Sequence, residues 1–362
     1  MSKLIVCTGT LMAGGAERVL SILSAPLSNA FDYVEYVLWL DKKSPDVFYK
    51  IDPRVRIIKI SEESHSCNIF KHLLWFRQHV KKEKPDAILS FMVMINFSVM
   101  VSQLFCKTPL FLAERNDPRY FKGSWWLRKM INWMYTFSNV KKVIMQTENN
   151  KRYFSAGTQR KVEVIYNPID MSESYVGSAL KQEHSKRIVT VARLEKQKHQ
   201  HILISAFSEF IKSHPDYTLT FYGVGSLEEE LKKQTALLGI SSHVSFPGRT
   251  NTVYDSIKDA TMFVLTSEYE GMSNSLIEAM CLGLPCISTK VSGATDLIQS
   301  GDNGVLIDID DTQGLLIAMT EIADNPVYAK KIGENATQIY QILKSEVISK
   351  HWVSCLQQCY TM

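Results

Sequence analysis

The sequence predicts an α/β protein made of two Rossmann-like, doubly wound domains facing across a cleft. Short apolar runs of strand length alternate with helical segments along all 362 residues. The runs fall into two series, each enough for a parallel sheet with its own core. A polar, aperiodic stretch, 169–185, lies between the two series.

In the first series the candidate strands are Lys3–Cys7, Tyr33–Trp39, Arg54–Ile60, Asp86–Phe91, Leu110–Ala113 and Lys142–Gln146. Val162 to Pro168 closes this domain, with Asn167-Pro168 as its turn signal. The second series runs Arg187–Ala192, Tyr217–Tyr222, His243–Phe246, Met262–Leu265, Cys286–Ser288 and Gly304–Ile307. The expected domains are therefore 1–168, a linker 169–185, and 186–337. A terminal helix, 338–362, runs through Trp352 and Tyr360 and is a candidate to pack back on the first domain.

Ala87 to Phe105 is uncharged for 19 residues, near the length of a membrane span. Ser90, Asn96, Ser98, Ser102 and Gln103 interrupt it, so it reads as a buried strand followed by a core helix. Apolar content of 45% and charged content of 22% are those of a soluble globular protein. The opening apolar run, Leu4 to Cys7, is too short for an export signal. Seven scattered cysteines without a Cys-x-x-Cys pair argue for a reducing compartment and against structural zinc. The expected location is cytoplasmic.

Charge is uneven. Residues 1–184 carry 26 Lys/Arg against 17 Asp/Glu, and residues 119–161 carry ten against one. At 100° per residue, Trp126, Met130, Trp133, Met134 and Phe137 share one helical face, and Arg128, Lys129, Asn132 and Thr136 the other. Such a helix suits an anionic membrane surface. A core helix with a solvated basic back is the alternative. No nucleic-acid-binding motif accompanies the charge.

The most informative segment is Glu270-Gly-Met-Ser-Asn-Ser-Leu-Ile-Glu278, between an apolar strand and a short helix ending at Gly283 and Pro285. Ligands of α/β sheets bind in such loops, and helix N-termini attract phosphate. The two carboxylates and the backbone amides between them suit a phosphorylated, hydroxyl-rich ligand. Equally, Ser275-Leu-Ile-Glu278 fits a capping box in which Glu278 only satisfies its own helix. Gly14-Gly15 opens the first helix, and Gly223-Val-Gly225 follows a strand; alone, each reads as a tight turn, because G-x-G-x-x-G is absent. Arg193 and Lys198 come off the first strand of the second domain and supply fixed cations. Asp308-Ile-Asp310 is a lone D-x-D that reads as a surface turn rather than a metal site.

Together these residues resemble the family 4 retaining glycosyltransferases of GT-B architecture. The carriers are Gly14-Gly15, Val191–Lys198, Phe221–Gly225, Phe246-Pro-Gly248-Arg249, Glu270-x7-Glu278, Ser292–Asp296 and Gly301–Asp308, in the family's order. Ala113–Pro118 is similar to a bacterial branch that builds capsule, O-antigen or other lipid-linked glycans. The resemblance implies that Glu278 holds the ribose of a nucleotide sugar, UDP-linked on this reading, and that Arg193 and Lys198 hold its diphosphate. It implies that Glu270, with the amides of Gly271, Met272, Ser273 and Asn274, orients the donor sugar. Ser275 and Leu276 would add amides to the phosphate, Gly248 and Arg249 would lie by the base, and Gly14 and Gly15 would border donor phosphates and acceptor. Many relatives have a first-domain histidine near the reacting sugar. Here that neighbourhood reads Glu114-Arg115-Asn116, leaving Glu114 or Arg115 to replace it on the acceptor side. His199 stands where relatives often have glycine.

The implied activity is transfer of a hexose or N-acetylhexosamine, with retention, to a lipid-linked or growing glycan acceptor. It needs no metal and no cofactor, and it would take place on the inner face of the cell membrane. A nucleotide-sugar epimerase or hydrolase, and a non-catalytic sugar-nucleotide-binding module, are the competing readings.

Overall fold

The computed structural model describes residues 2–12, 14–40, 47–183, 185–250 and 252–358. Tyr360, expected in the terminal helix, lies outside the described residues. The chain divides into two compact units: Met1–Pro168 with Ser345–Met362, and Ile169–Lys344.

Unit 1 is built on a seven-stranded parallel sheet in the order β3-β2-β1-β4-β5-β6-β7. The strands are β1 (Lys3–Thr8), β2 (Tyr33–Leu38), β3 (Arg56–Lys59), β4 (Ala87–Phe91), β5 (Leu110–Ala113), β6 (Val140–Met145) and β7 (Val162–Val164). Every residue of β4 and β5 is buried, as a strand covered on both faces requires. Connections leave β1 towards one edge and β4 towards the other. Right-handed crossovers then put helices on both faces.

The uncharged segment after Asp86 resolves into β4 and the helix Val93–Ser102. No helix of the described residues is long and apolar enough to cross a membrane. Helix Ser345–Gln357 closes unit 1, packing on helix Gly15–Ala30 with Trp352 fully buried. The Trp352 indole stacks on Phe91, with centroids 5.5 Å apart. The expected continuous terminal helix is broken: Ile339–Leu343 stops at Lys344, whose ψ of 144° is extended.

Unit 2 carries a six-stranded parallel sheet in the order β10-β9-β8-β11-β12-β13. Its strands are β8 (Ser185–Val191), β9 (Thr218–Tyr222), β10 (Val244–Gly248), β11 (Ala260–Leu265), β12 (Cys286–Thr289) and β13 (Val305–Ile307). Helices Gln200–Phe210 and Thr312–Asp324 pack together over a core containing Leu203, Phe207, Leu315 and Met319. The polar stretch after Pro168 is held within this unit. Ile169, Met171 and Ala179 are buried, and the Gly177 amide donates to the Cys281 carbonyl at 3.0 Å.

The helix Trp125–Met134 corrects the expected faces. Its inner side is Arg128, Ile131 and Met134, while Trp125, Trp126 and Trp133 are exposed. Arg128 turns inward because a buried carboxylate, Glu114, accepts from it at 2.6 Å. The Arg128 charge also lies over the Tyr153 ring. Without a partner of that kind the periodicity argument would have held.

Candidate active site

In each sheet the strand order reverses once, and ligands of open α/β sheets bind outside the carboxyl ends of the strands at that reversal. In unit 2 the reversal lies between β8 and β11. The loop after β8 carries Arg193 and Lys198; the loop after β11 carries Glu270. Lys198 donates from Nζ to Glu270 Oε1, and Ser267 donates to the same oxygen at 3.1 Å.

Neutral side chains and amides lace the two loops together. Thr266 Oγ1 donates to the Lys198 carbonyl at 2.8 Å, Gln197 Nε2 to the Tyr269 carbonyl at 2.7 Å, and the Glu268 amide to the Gln197 carbonyl at 2.9 Å. Behind them, Gln200 Nε2 donates to the Arg193 carbonyl at 2.8 Å and Thr289 Oγ1 to the Ser267 carbonyl at 2.6 Å. Sequence reading missed Gln197, Gln200, Thr266, Ser267 and Thr289. Their partners are distant in the chain, and each residue alone is an ordinary polar residue.

Burial, and then the neighbouring Arg193 charge, push the Lys198 ammonium down to about 7. The Glu270 carboxylate acts in the opposite sense. The downward direction holds because withdrawal of the amine from water is the largest effect.

Glycine at three positions is a packing requirement. A Cβ on Gly223 would strike the Ala192 carbonyl, and one on Gly225 the Leu194 backbone. The Gly223-Val-Gly225 turn thus presses on the loop bearing Arg193. A Cβ on Gly293 would strike the Gly271 carbonyl and Met272 Cα, so Gly293 shapes the Glu270 loop from beneath. Gly248 ends β10 with φ of 82°, and its carbonyl accepts the Gly223 amide at 2.8 Å; Arg249 beside it is exposed.

Helix Asn274–Leu282 begins two residues earlier than the capping-box alternative needs. Ser273 is the N-cap, accepting from the Leu276 amide at 3.4 Å, so the capping-box position belongs to Leu276 and not to Glu278. The Leu276 amide, expected to add to phosphate binding, donates here to Ser273 Oγ. Gly271, Met272, Ser273 and Glu278 are buried, and Asn274 and Ser275 are half-buried at the helix start. The Cys281 thiol is pushed up to about 12, chiefly by burial and further by Glu278.

In unit 1 the reversal lies between β1 and β4. Gly14 follows β1 in an extended conformation, φ −162°, and caps the helix that Gly15 begins. The pair is therefore no left-handed turn: a Cβ on Gly14 would strike the Glu17 carboxylate. Burial raises Glu17, against a hydrogen bond from Thr10 at 3.2 Å. After β4, Met92 holds φ of 77°, a strained conformation for a side-chain-bearing residue.

After β5, Glu114 is buried and accepts from Arg128 and from the Tyr135 hydroxyl, each at 2.6 Å. Arg115 lies over the Phe91 ring and donates to Asn167, and burial pushes it down to about 9. Asn116 is exposed. Of the two candidates to replace a first-domain histidine, Glu114 is committed to an internal ion pair.

Comparison with known proteins places the chain. Residues 172–339 match the family model "Glycosyl transferases group 1". The GalNAc-alpha-(1->4)-GalNAc-alpha-(1->3)-diNAcBac-PP-undecaprenol alpha-1,4-N-acetyl-D-galactosaminyltransferase of Campylobacter jejuni is 25% identical over 99% of both chains. Among solved structures, Anabaena Alr3699/HepE in complex with UDP and glucose superposes with a TM-score of 0.80 at 21% identity, covering 99% of this chain and 100% of that one. Sucrose-phosphate synthase from Thermosynechococcus elongatus gives 0.83 at 18% identity over the whole of both chains. The fold is that of the GT-B glycosyltransferases, and residues 172–339 are similar to the glycosyl transferases group 1 family.

Proposed function

We propose that the chain transfers a hexose or N-acetylhexosamine from a nucleotide sugar, with uridine diphosphate as carrier, to a lipid-linked or growing glycan, retaining anomeric configuration. The observation that carries this reading is the Lys198–Glu270 pair at the sheet reversal, with Arg193 beside it. A departing sugar acquires oxocarbenium character while its diphosphate gains negative charge. Fixed cations in a site withdrawn from water stabilise that charge better than solvated ones. Arg193 and Lys198 serve the diphosphate, and Glu270, released from Lys198 as the phosphates arrive, takes sugar hydroxyls. Glu278 takes the ribose. Gly248 and Arg249 flank the base. No step on this reading uses a metal.

The acceptor class is supported by the Campylobacter relative, whose name specifies an undecaprenyl diphosphate-linked glycan. The donor class is supported by the UDP in the Anabaena complex. Membrane association rests on Trp125, Trp126 and Trp133, residues that are 71%, 57% and 64% exposed, with Lys129 4.6 Å from the Trp125 ring centre. Exposed indoles next to basic side chains suit the headgroup layer of an anionic bilayer, at the inner face of the cell membrane.

The test is incubation of purified protein with uridine- and guanosine-linked sugars, with and without a polyprenyl diphosphate glycan, scoring nucleotide release and product mass. Acceptor-dependent transfer, abolished in Glu278→Ala, is expected. Turnover without acceptor would replace the reading with a hydrolase or epimerase. Absence of donor binding would leave a different ligand for the site.

A further inference from the structure

The backbone of His199 adopts φ 45° and ψ 35°, the left-handed conformation that glycine favours. A side chain placed there bears a conformational cost, so what the imidazole touches is informative. Its Nδ1 lies 2.8 Å from Asp310 Oδ1, and its Nε2 lies 3.4 Å from Glu268 Oε2. His201 is the next side chain but one, its ring centre 5.1 Å from that of His199. Donor atoms of His199, His201 and Asp310 all lie within 4.8 Å of one another. Asp310 also holds a left-handed backbone, φ 62°, and the other acid of its D-x-D turn, Asp308, pairs instead with Lys290 at 2.7 Å.

We infer that His199, His201 and Asp310 form a binding site for a borderline transition-metal ion of the zinc class, oriented by Glu268. The donor set is two imidazoles and one carboxylate, which suits zinc and its neighbours better than magnesium or calcium. Metal-bound imidazoles commonly donate their second ring nitrogen to a carboxylate, which fixes tautomer and direction. Glu268 Oε2 lies 3.4 Å from Nε2, an ion-pair contact on that side of the ring, and Nδ1 faces Asp310 Oδ1. Two donors on one zinc, each at about 2.0–2.1 Å, lie no more than about 4 Å apart, so small rotations of the exposed His201 and Asp310 side chains complete the set. Water fills the remaining position.

The site ties together three loops: the turn after Lys198, the loop between β11 and Glu270, and the turn after β13. It is separate from the proposed reaction, which draws no ligand from it. Its consequence is mechanical: a bound ion would clamp the turn that presents Lys198. The inference does not depend on the transferase reading, and its test reads metal directly.

Untagged full-length protein, stripped with chelator, is titrated with zinc chloride by calorimetry, and with cobalt(II) by visible absorption. One equivalent should bind, with a cobalt spectrum typical of nitrogen and oxygen ligands and a raised thermal midpoint. His201→Ala and Asp310→Asn should each weaken zinc at least tenfold while leaving the circular dichroism unchanged; both positions are exposed, and asparagine tolerates the left-handed backbone. His199→Asn supplies a third variant for the same reason. Binding of less than a fifth of an equivalent would overturn the site. So would unchanged affinity in all three variants, or thiolate absorption from cobalt, which would place the metal on a cysteine such as the exposed Cys67.

Discussion

Lys198 and Glu270 are 72 residues apart in sequence and form one ion pair, each side chain nearly nine-tenths buried. A buried pair of this kind is weak evidence for stability, since desolvating two charges offsets their attraction. Its placement at the strand-order reversal points instead to a ligand that uses both charges.

The pH dependence follows from the Lys198 ammonium, pushed down to about 7 by burial and by Arg193. Between that value and the usual lysine range the unfolded chain binds the extra proton, so this group makes stability rise with pH through the window. Activity should move the other way. In kcat/KM, which reports the free enzyme, an alkaline fall is expected as pH passes about 7. Lys198→Arg cannot deprotonate in this range and should flatten that limb, even at reduced rate. A pH profile of both proteins checks it; identical alkaline limbs would exclude Lys198 as the titrating cation.

Removal of one partner of the Glu114–Arg128 pair should destabilise unit 1. Both side chains are buried, and Arg128 Nε and Nη2 have no partner of their own. Burial alone would lower Arg128; the Glu114 charge outweighs it and holds the guanidinium raised. Glu114→Gln should cost about 3–5 kcal/mol in urea unfolding. Replacing both residues by apolar ones of similar volume should recover most of that loss. A small effect of the single change would show that Arg128 finds water.

Gly293→Ala should injure the site without touching it. The added methyl must displace the Gly271 carbonyl and Met272, and with them the segment carrying Glu270. Misplacement of about 1 Å costs on the order of a hundredfold in rate. The expected result is such a loss in kcat/KM; a variant that folds with wild-type kinetics would show that the Glu270 loop has slack.

Membrane association should depend on indoles more than on the basic residues of the same helix. Trp126→Ala with Trp133→Ala should lower binding to vesicles of phosphatidylglycerol by at least about tenfold, since burying each ring contributes on the order of 1 kcal/mol or more. Cosedimentation at two salt concentrations measures it. Loss on raising salt with no effect of the tryptophans would return the role to lysine and arginine.

Much of the architecture was legible because buried parallel strands are continuous apolar runs. Leu110–Ala113 and the Met262–Leu265 run declare themselves without reference to anything distant. The junction that carries Glu270 and Glu278 was legible for a related reason: a strand, a short polar loop and a helix are adjacent in sequence, so it can be read locally. Helix Trp125–Met134 was misread because periodicity assigns faces by polarity, and a single buried carboxylate 14 residues upstream reversed the assignment of Arg128.

The sequence by itself determined the alternation of strands and helices, the two series, and which loops are rich in chemistry, because those depend on local pattern. Tertiary structure decided that Lys198 meets Glu270, that Glu114 is occupied by Arg128, and that His199 stands between Glu268 and Asp310. Such pairings depend on strand order, and strand order is fixed by how whole sheets bury their apolar faces, which no local window of residues records.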